Sequence, residues 1–394
     1  MLFDVFSNPF EGDFLGLSEI LACRQFLKTT ARVNELGKTL EASPVEVDPQ
    51  AVQPDLLSSA CWRPETGFMR MGLNAGVTDR GDWTWLKAEA SIAAFFSGAV
   101  ESVSVDVESA RPLTLAGHSV SGNFFHVQGE GDRIAVQDEN GNAILLLNRH
   151  EPEGLPGIWL RDGFEENSLV RLGSAGGCSI ATGDWLSYWD PDFEDDRFRG
   201  DTDEFQSQIQ RAAGALEEFL PNYYVWTTAL IREIVPIKTK EVFRGGTSSR
   251  SFMFCPGHIH FSVEATLIQT INMMIHECSH QFFHMALWNA PIVKKGAPEA
   301  YSVLKNTRRP LEKVLLGYHA FANIKLALGI LHPLDNVIDP AELAEQEQHV
   351  SAIVANLDEP LQEHAEMYLE EAGKELYYPL RARLTEQERL SPVG

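Results

Sequence analysis

Three features of this sequence predict an α+β fold, with a sheet-rich N-terminal half and a mainly helical C-terminal half. Apolar residues recur at helical intervals near the N-terminus. They do so again along most of residues 263 to 385. Between residues 100 and 183 the texture changes to alternating runs broken by glycine-rich turns. A period of 3.6 marks helix and a period of two marks strand, so the two textures separate the chain into two regions.

In chain order, residues 14 to 42 read as helix, with Leu17, Ile20, Leu21, Phe26 and Leu27 at helical spacing. A second helix is expected over 83 to 98, ending at Ser97-Gly98. Val103 to Val107 and Phe124 to Val127 then alternate as strands. Glu139-Asn140-Gly141-Asn142 is a hairpin turn between Ile134–Val136 and Ile144–Leu146. The polar, acidic stretch from Tyr188 to Asp201 reads as a linker or exposed loop. Helix returns over 202 to 234, two short β-prone runs follow at Ser251–Phe254 and His258–Phe261, and further helices are expected over 263–288, 310–331 and 340–385. The division expected from this reading is an α+β region with antiparallel sheet over 1–183 and a helical catalytic region over 184–394.

Bulk properties narrow the partners. The 394 residues are 44% hydrophobic and 22% charged, ordinary for a globular enzyme of one large or two average domains. Only 32 basic residues face 56 acidic ones, a formal charge of -24, which argues against nucleic acid and against anionic membrane surfaces. Five scattered cysteines, Cys23, Cys61, Cys178, Cys255 and Cys278, form no zinc-knuckle or redox spacing. The N-terminus lacks a signal-peptide pattern, and no stretch reads as the roughly 18 apolar residues of a membrane span, so a cytoplasmic setting is expected.

The chemistry is expected at His276-Glu277-Cys278-Ser279-His280. Two histidines four apart lie one above the other on a helix and hold a single divalent ion, the logic of the His-Glu-x-x-His motif. Leu267, Ile268, Ile271, Met274, Ile275, Cys278, Phe282 and Met285 form an apolar stripe, with His276 and His280 on roughly the opposite side. Ordinary polar residues on a solvated helix face are the bland alternative, and the strongly apolar helix around them weighs against it. His284 lies two turns from His276 and is expected beside the site or at the surface. A third ligand must come from elsewhere. His319, mid-helix in apolar company, is one candidate, and Glu299, at the spacing of glutamate-type metallopeptidases, is the other.

Two chemistries fit such a helix. A zinc peptidase uses Glu277 as the base that activates metal-bound water. A non-haem iron oxygenase needs open coordination positions and a cation to clamp the far carboxylate of a 2-oxo acid. Lys305, Arg308 and Arg309 are such a cluster in an otherwise acidic chain, although on the residues alone a solvated basic turn is the better account of them.

Several segments resemble a known family. They are Ile234-Val235-Pro236, Ser248-Ser249-Arg250-Ser251, Pro256-Gly257, the His-Glu-x-x-His helix, Tyr301-Ser302, Arg309-Pro310-Leu311 and Tyr318-His319-Ala320-Phe321. Together, over residues 215 to 330, they resemble the HExxH-motif peptide-modifying proteins, described as 2-oxoglutarate-dependent peptide β-hydroxylases. The family commonly carries Ser-Pro-Trp or Ala-Pro-Trp after the tyrosine, whereas this chain reads Ser302-Val303-Leu304. The resemblance implies an Fe(II) site on His276, His280 and His319, and Arg309 as the anchor of 2-oxoglutarate. It places Lys305, Tyr301 and Ser302 in the co-substrate site and makes a ribosomally made peptide the substrate. In that scheme Glu277 orients a ligand or a water. The zinc peptidase and an idle peptide-binding protein are the alternatives.

Overall fold

The structure is a computed structural model that describes residues 2–48, 52, 61–150, 158–162, 169–174, 176–181, 196, 198, 200–238, 248–331 and 338–390. Nine helices and fourteen strands are described. Helices α1 (Phe14–Thr39), α2 (Pro64–Ala75) and α3 (Arg80–Phe96) come first. Strands β1 (Ser102–Glu108), β2 (Leu113–Leu115), β3 (His118–Val120), β4 (Phe124–Glu130) and β5 (Arg133–Gln137) follow. Then come β6 (Ala143–His150), β7 (Ile158–Arg161), β8 (Leu169–Leu172) and β9 (Gly176–Ile180). After α4 (Asp203–Phe219) and α5 (Pro221–Thr228) the chain forms β10 (Glu233–Ile237), β11 (Ser249–Ser251) and β12 (His258–Ser262). It closes with α6 (Leu267–Asn289), β13 (Glu299–Ser302), β14 (Thr307–Pro310), α7 (Leu311–Leu331), α8 (Pro340–Tyr368) and α9 (Glu371–Leu390). The fold is α+β, with sheet concentrated between residues 102 and 262.

The chain divides into two compact units. The sheet unit holds Glu19–Gln210 and Thr228–Glu264, and the helical unit holds Met1–Ser18, Arg211–Thr227 and Ala265–Gly394. The expected boundary at 183/184 and most of the polar stretch 188–201 lie outside the described residues.

In the sheet unit, one antiparallel sheet runs β1-β4-β5-β6-β7. Along β1, Val103, Val105 and Val107 are buried while their neighbours are exposed, the period-two pattern read from the sequence. The expected hairpin is present: β5 and β6 pair antiparallel, and the Asp138 carboxylate accepts the Asn140 and Asn142 amides while Gly141 supplies the positive φ. The second sheet runs β11-β12-β10-β9-β8 and is mixed, with β10 parallel to both β12 and β9. Every residue of β10 is buried, as a central parallel strand requires. Pro236 is tolerated there because the β9 pairing stops at Ile234, so no described strand needs its missing N–H.

The helix expected over 202–234 is instead two helices and a strand. Pro221, which lacks an amide hydrogen, starts a new helix, and the β-branched run Ile234-Val235 takes the strand. Likewise the 340–385 helix is broken at Leu369-Glu370, where the backbone pairs with Ile292 and Lys294. Pro310 closes β14, and α7 begins one residue later.

In the helical unit, α7 is apolar enough by length and composition to cross a membrane, contrary to the sequence expectation that no stretch is. Its most apolar window is 72% buried inside the protein, as in a core helix.

Candidate metal centre

Helix α6 starts at a capping box. Thr266 accepts the Gln269 amide, and the Gln269 side chain returns to the Thr266 amide. The apolar stripe packs inward. Phe282 lies against Phe6, Phe14 and Trp226, at ring separations of 5.3, 5.7 and 3.8 Å. Cys278 Sγ meets the Thr227 carbonyl. The opposite side, where the sequence puts His276 and His280, is also covered. Between Thr270 and Ala286 every residue is buried except His276 and His280, which are half-buried. Over that stretch the helix opens only at the two imidazoles of the motif.

The two rings stand 4.5 Å apart at 75°, the stacking that i, i+4 spacing dictates. Phe321 of α7 meets the His276 ring edge-on at 4.9 Å. His284, 6.2 Å from His280, is buried and extends the row. His319 lies on α7 with its ring 5.9 Å from that of Phe283. Its Nε2 is 2.7 Å from the Phe6 carbonyl, which can only accept, so Nε2 carries the hydrogen and Nδ1 the lone pair. Asn323 fastens the same corner by donating to the Ser7 and His319 carbonyls, and it accepts from the Tyr223 hydroxyl.

Burial keeps these imidazoles uncharged at neutral pH. It pushes His284 down to about 3, with the Lys313 ammonium adding to the effect. It pushes His319 down to about 4, with the backbone of Phe6, then Ser279 and Ser7, pulling the other way. His276 is lowered by burial and partly restored by Glu277. His280 lies well below its ordinary value, from burial first and then from His276, His284, His319 and Lys313. Neutral imidazole is the metal-binding form, and Nδ1 of His280, of His284 and of His319 has no hydrogen-bond partner among the described residues.

These donors suit a borderline divalent ion such as Fe(II) or Zn(II). Two ligands are placed by one helix, but the third is not drawn in. Among the described residues no three His, Cys, Asp or Glu side chains converge as a ligand set. His319 is near His280 yet committed at Nε2, which leaves Nδ1 as its only donor atom. Glu299 is exposed on β13 and is not gathered with the histidines. Glu277 is buried beside His276.

Strands β13 and β14 sort the co-substrate candidates by face. Arg309 pairs with Ala300 in register and shares the inward face with buried Ser302, whose Oγ has no partner among the described residues. Arg308 lies on the outer face, donating to the Glu299 carbonyl at 2.8 Å. Tyr301 is exposed and donates to Asn306, and Lys305 is exposed in the connecting turn. Lys313, in the first turn of α7, is not among the sequence candidates, yet its charge reaches both His280 and His284. Its only sequence signal is a place four residues beyond Arg309.

The sheet unit holds a second histidine cluster, which the sequence disclosed only as a β-prone run. Glu233 and His258 face each other in register, with Oε2 and Nδ1 2.9 Å apart. His258 Nε2 and His260 Nε2 also lie 2.9 Å apart, so one of them donates. All three side chains are sealed from solvent. Burial, then His258 and Arg250, hold His260 well below its ordinary value.

Compared with known families and curated proteins, the chain matches no family model and no curated protein.

Proposed function

We propose that this chain is an Fe(II)- and 2-oxoglutarate-dependent oxygenase that hydroxylates a β-carbon of a peptide. His276 and His280 hold the ion, and His319 completes the set through its free Nδ1. One observation carries the reading: between Thr270 and Ala286 a helix buried on its other residues opens only at two neutral histidines four residues apart. The family resemblance supplies the choice of oxygenase over hydrolase.

When bound, the iron would supply the redox chemistry that couples dioxygen and 2-oxoglutarate to hydroxylation, releasing succinate and carbon dioxide. The protein's own part is to keep His276 and His280 unprotonated by burial, and to hold the anionic co-substrate. Arg309, inward on the hairpin, suits a bidentate pair with the distal carboxylate. Lys313 adds positive potential at the histidine row. Glu277 orients His276 or a bound water rather than serving as a base.

The test is anaerobic reconstitution with Fe(II), followed by measurement of succinate formed from 2-oxoglutarate on exposure to air. Arg309→Ala should raise the 2-oxoglutarate requirement by about two orders of magnitude, because it loses two charge-assisted hydrogen bonds of roughly 1.5 to 3 kcal/mol each. Arg308→Ala should behave as wild type. Glu277→Gln should retain some succinate formation. If wild type forms no succinate, and the zinc-loaded protein cleaves peptides in a way that Glu277→Gln abolishes, the chain is a hydrolase.

A further inference from the structure

Strand β1 is an edge of the first sheet, paired among the described strands with β4 alone. Which of its backbone groups face outward follows from two hydrogen bonds that continue the ladder. Ser109 N–H donates to the Asn123 carbonyl, and Gly131 N–H donates to the Glu101 carbonyl. Odd-numbered residues therefore turn their backbone groups towards β4, and Ser102, Ser104, Asp106 and Glu108 turn theirs away. At Glu108 the outward edge is already satisfied: its N–H donates to Thr84 Oγ1 at 3.0 Å, and the Thr84 hydroxyl donates to its carbonyl at 3.0 Å. Ser104 and Asp106 have no such cap among the described residues.

Those two residues form one side of a groove of about 820 Å³, which Leu40 and Glu41 at the end of α1 face and which Trp83 and Lys87 of α3 also line. That volume is in the range of ligand-binding clefts, and this one is open to solvent. Donor–acceptor pairs on alternate residues repeat at about 6.8 Å along a strand, a spacing that only another extended chain matches. Charge selects among such chains. The carboxylates of Glu41, Asp79 and Asp106 line the groove with the cations Arg80 and Lys87. Arg80 is 3.6 Å from Glu108 and Asp106 is 2.7 Å from His126 Nδ1, so Glu41 and Asp79 face the groove against Lys87. The whole chain carries -24.

We propose that β1 accepts an extended, lysine- or arginine-bearing peptide segment as an added strand, seated in this groove. The site lies entirely within the sheet unit and rests on nothing about the metal, so its failure leaves the oxygenase reading untouched.

The experiment uses the full chain and an octapeptide of alternating valine and lysine. Amide hydrogen exchange at Ser104 and Asp106 should slow at least tenfold when the peptide is added, a fold-change of one ladder bond's order. The same peptide N-methylated on alternate amides keeps its charge and side chains, and should not bind. Replacing its lysines by glutamate should also abolish binding. Ser104→Pro removes an outward N–H that β4 does not use, so the edge strand should tolerate it while the peptide binds about tenfold more weakly. Should that variant unfold, the N-methylated peptide still decides. Equal binding of the N-methylated peptide would overturn the proposal, because charge alone would then be the cause. So would protection at Ser104 and Asp106 that rises with protein concentration and no peptide, since a second copy would then own the edge.

Discussion

The histidine row of α6 and the histidine pair of β12 use the same side chain in opposite ways. On β12 the period of two puts His258 and His260 on one face of a sheet, where neighbouring strands seal them. Both nitrogens of His258 are engaged there, one with Glu233 and one with His260. On α6 the spacing of four stacks His276 on His280 without a hydrogen bond between the rings, leaves Nδ1 of His280 unengaged and keeps both half-open. The difference teaches that burial alone does not mark a ligand. His258, both of whose nitrogens are already spoken for, is part of the architecture. A histidine that stays neutral with a lone pair to offer is ready for a ligand.

The largest expected effect tests that distinction through metal content. His276→Ala or His280→Ala should leave dialysed protein with essentially no bound iron or zinc after reconstitution. His258→Ala and His260→Ala should retain a full equivalent, read by elemental analysis against protein concentration. If the β12 variants lose metal and the α6 variants keep it, the assignment of roles is inverted.

Stability should run the other way, with a smaller effect. Removing His258 leaves Oε2 of the sealed Glu233 without its imidazole, and an unsatisfied buried polar group costs roughly 1 to 3 kcal/mol, more where it is charged. His280→Ala removes a half-buried ring whose Nδ1 bonds nothing described, and should cost only about 1 kcal/mol in the metal-free protein. Chemical denaturation of both metal-free variants compares them directly. Similar losses at the two sites would erase the contrast.

How far each cluster could be read from the sequence follows from how local its causes are. The α6 histidine row was legible because the stripe and the histidine spacing both lie within one helix, Leu267–Asn289. Helices α1, α3, α6 and α7 fell where the periodicity put them, within a few residues. What escaped depends on distant partners. Glu233 reaches His258 from 25 residues away, and the carbonyl that fixes His319 belongs to Phe6, 313 residues earlier. Lys313 comes into range only through the packing of α7 on α6. Helix α2 was missed because Gly67 and Gly72 weaken its pattern, yet packing demands them. A Cβ on Gly67 would lie 1.8 Å from the Phe254 carbonyl oxygen, so tertiary approach overrides propensity there.

The smallest expected effect separates the two regions by pH. His284 and His319 have folded values near 3 and 4, below the unfolded value near 6.5, so the unfolded chain binds more protons between those limits. Their contribution is complete above about pH 6.5 and is lost as pH falls through the folded values. In the sheet unit the sign reverses at Glu89. Burial raises its carboxyl well above the ordinary range, the Thr114 amide opposes this, and the neighbouring Glu65 adds to it. A raised acid contributes most below its unfolded value near 4.5 and loses that contribution as pH rises through its folded value. Glu89→Gln keeps an acceptor for the Thr114 amide but has no proton to lose. The variant should match wild type at pH 4 and exceed it at pH 8, because only the wild-type carboxyl must give up a proton there. Denaturation midpoints measured across that range supply the test. A Glu89→Gln protein no more stable than wild type at pH 8 would mean that the sealed carboxyl costs the sheet unit nothing, and that its polar groups are as well matched to neutral pH as the α6 histidines.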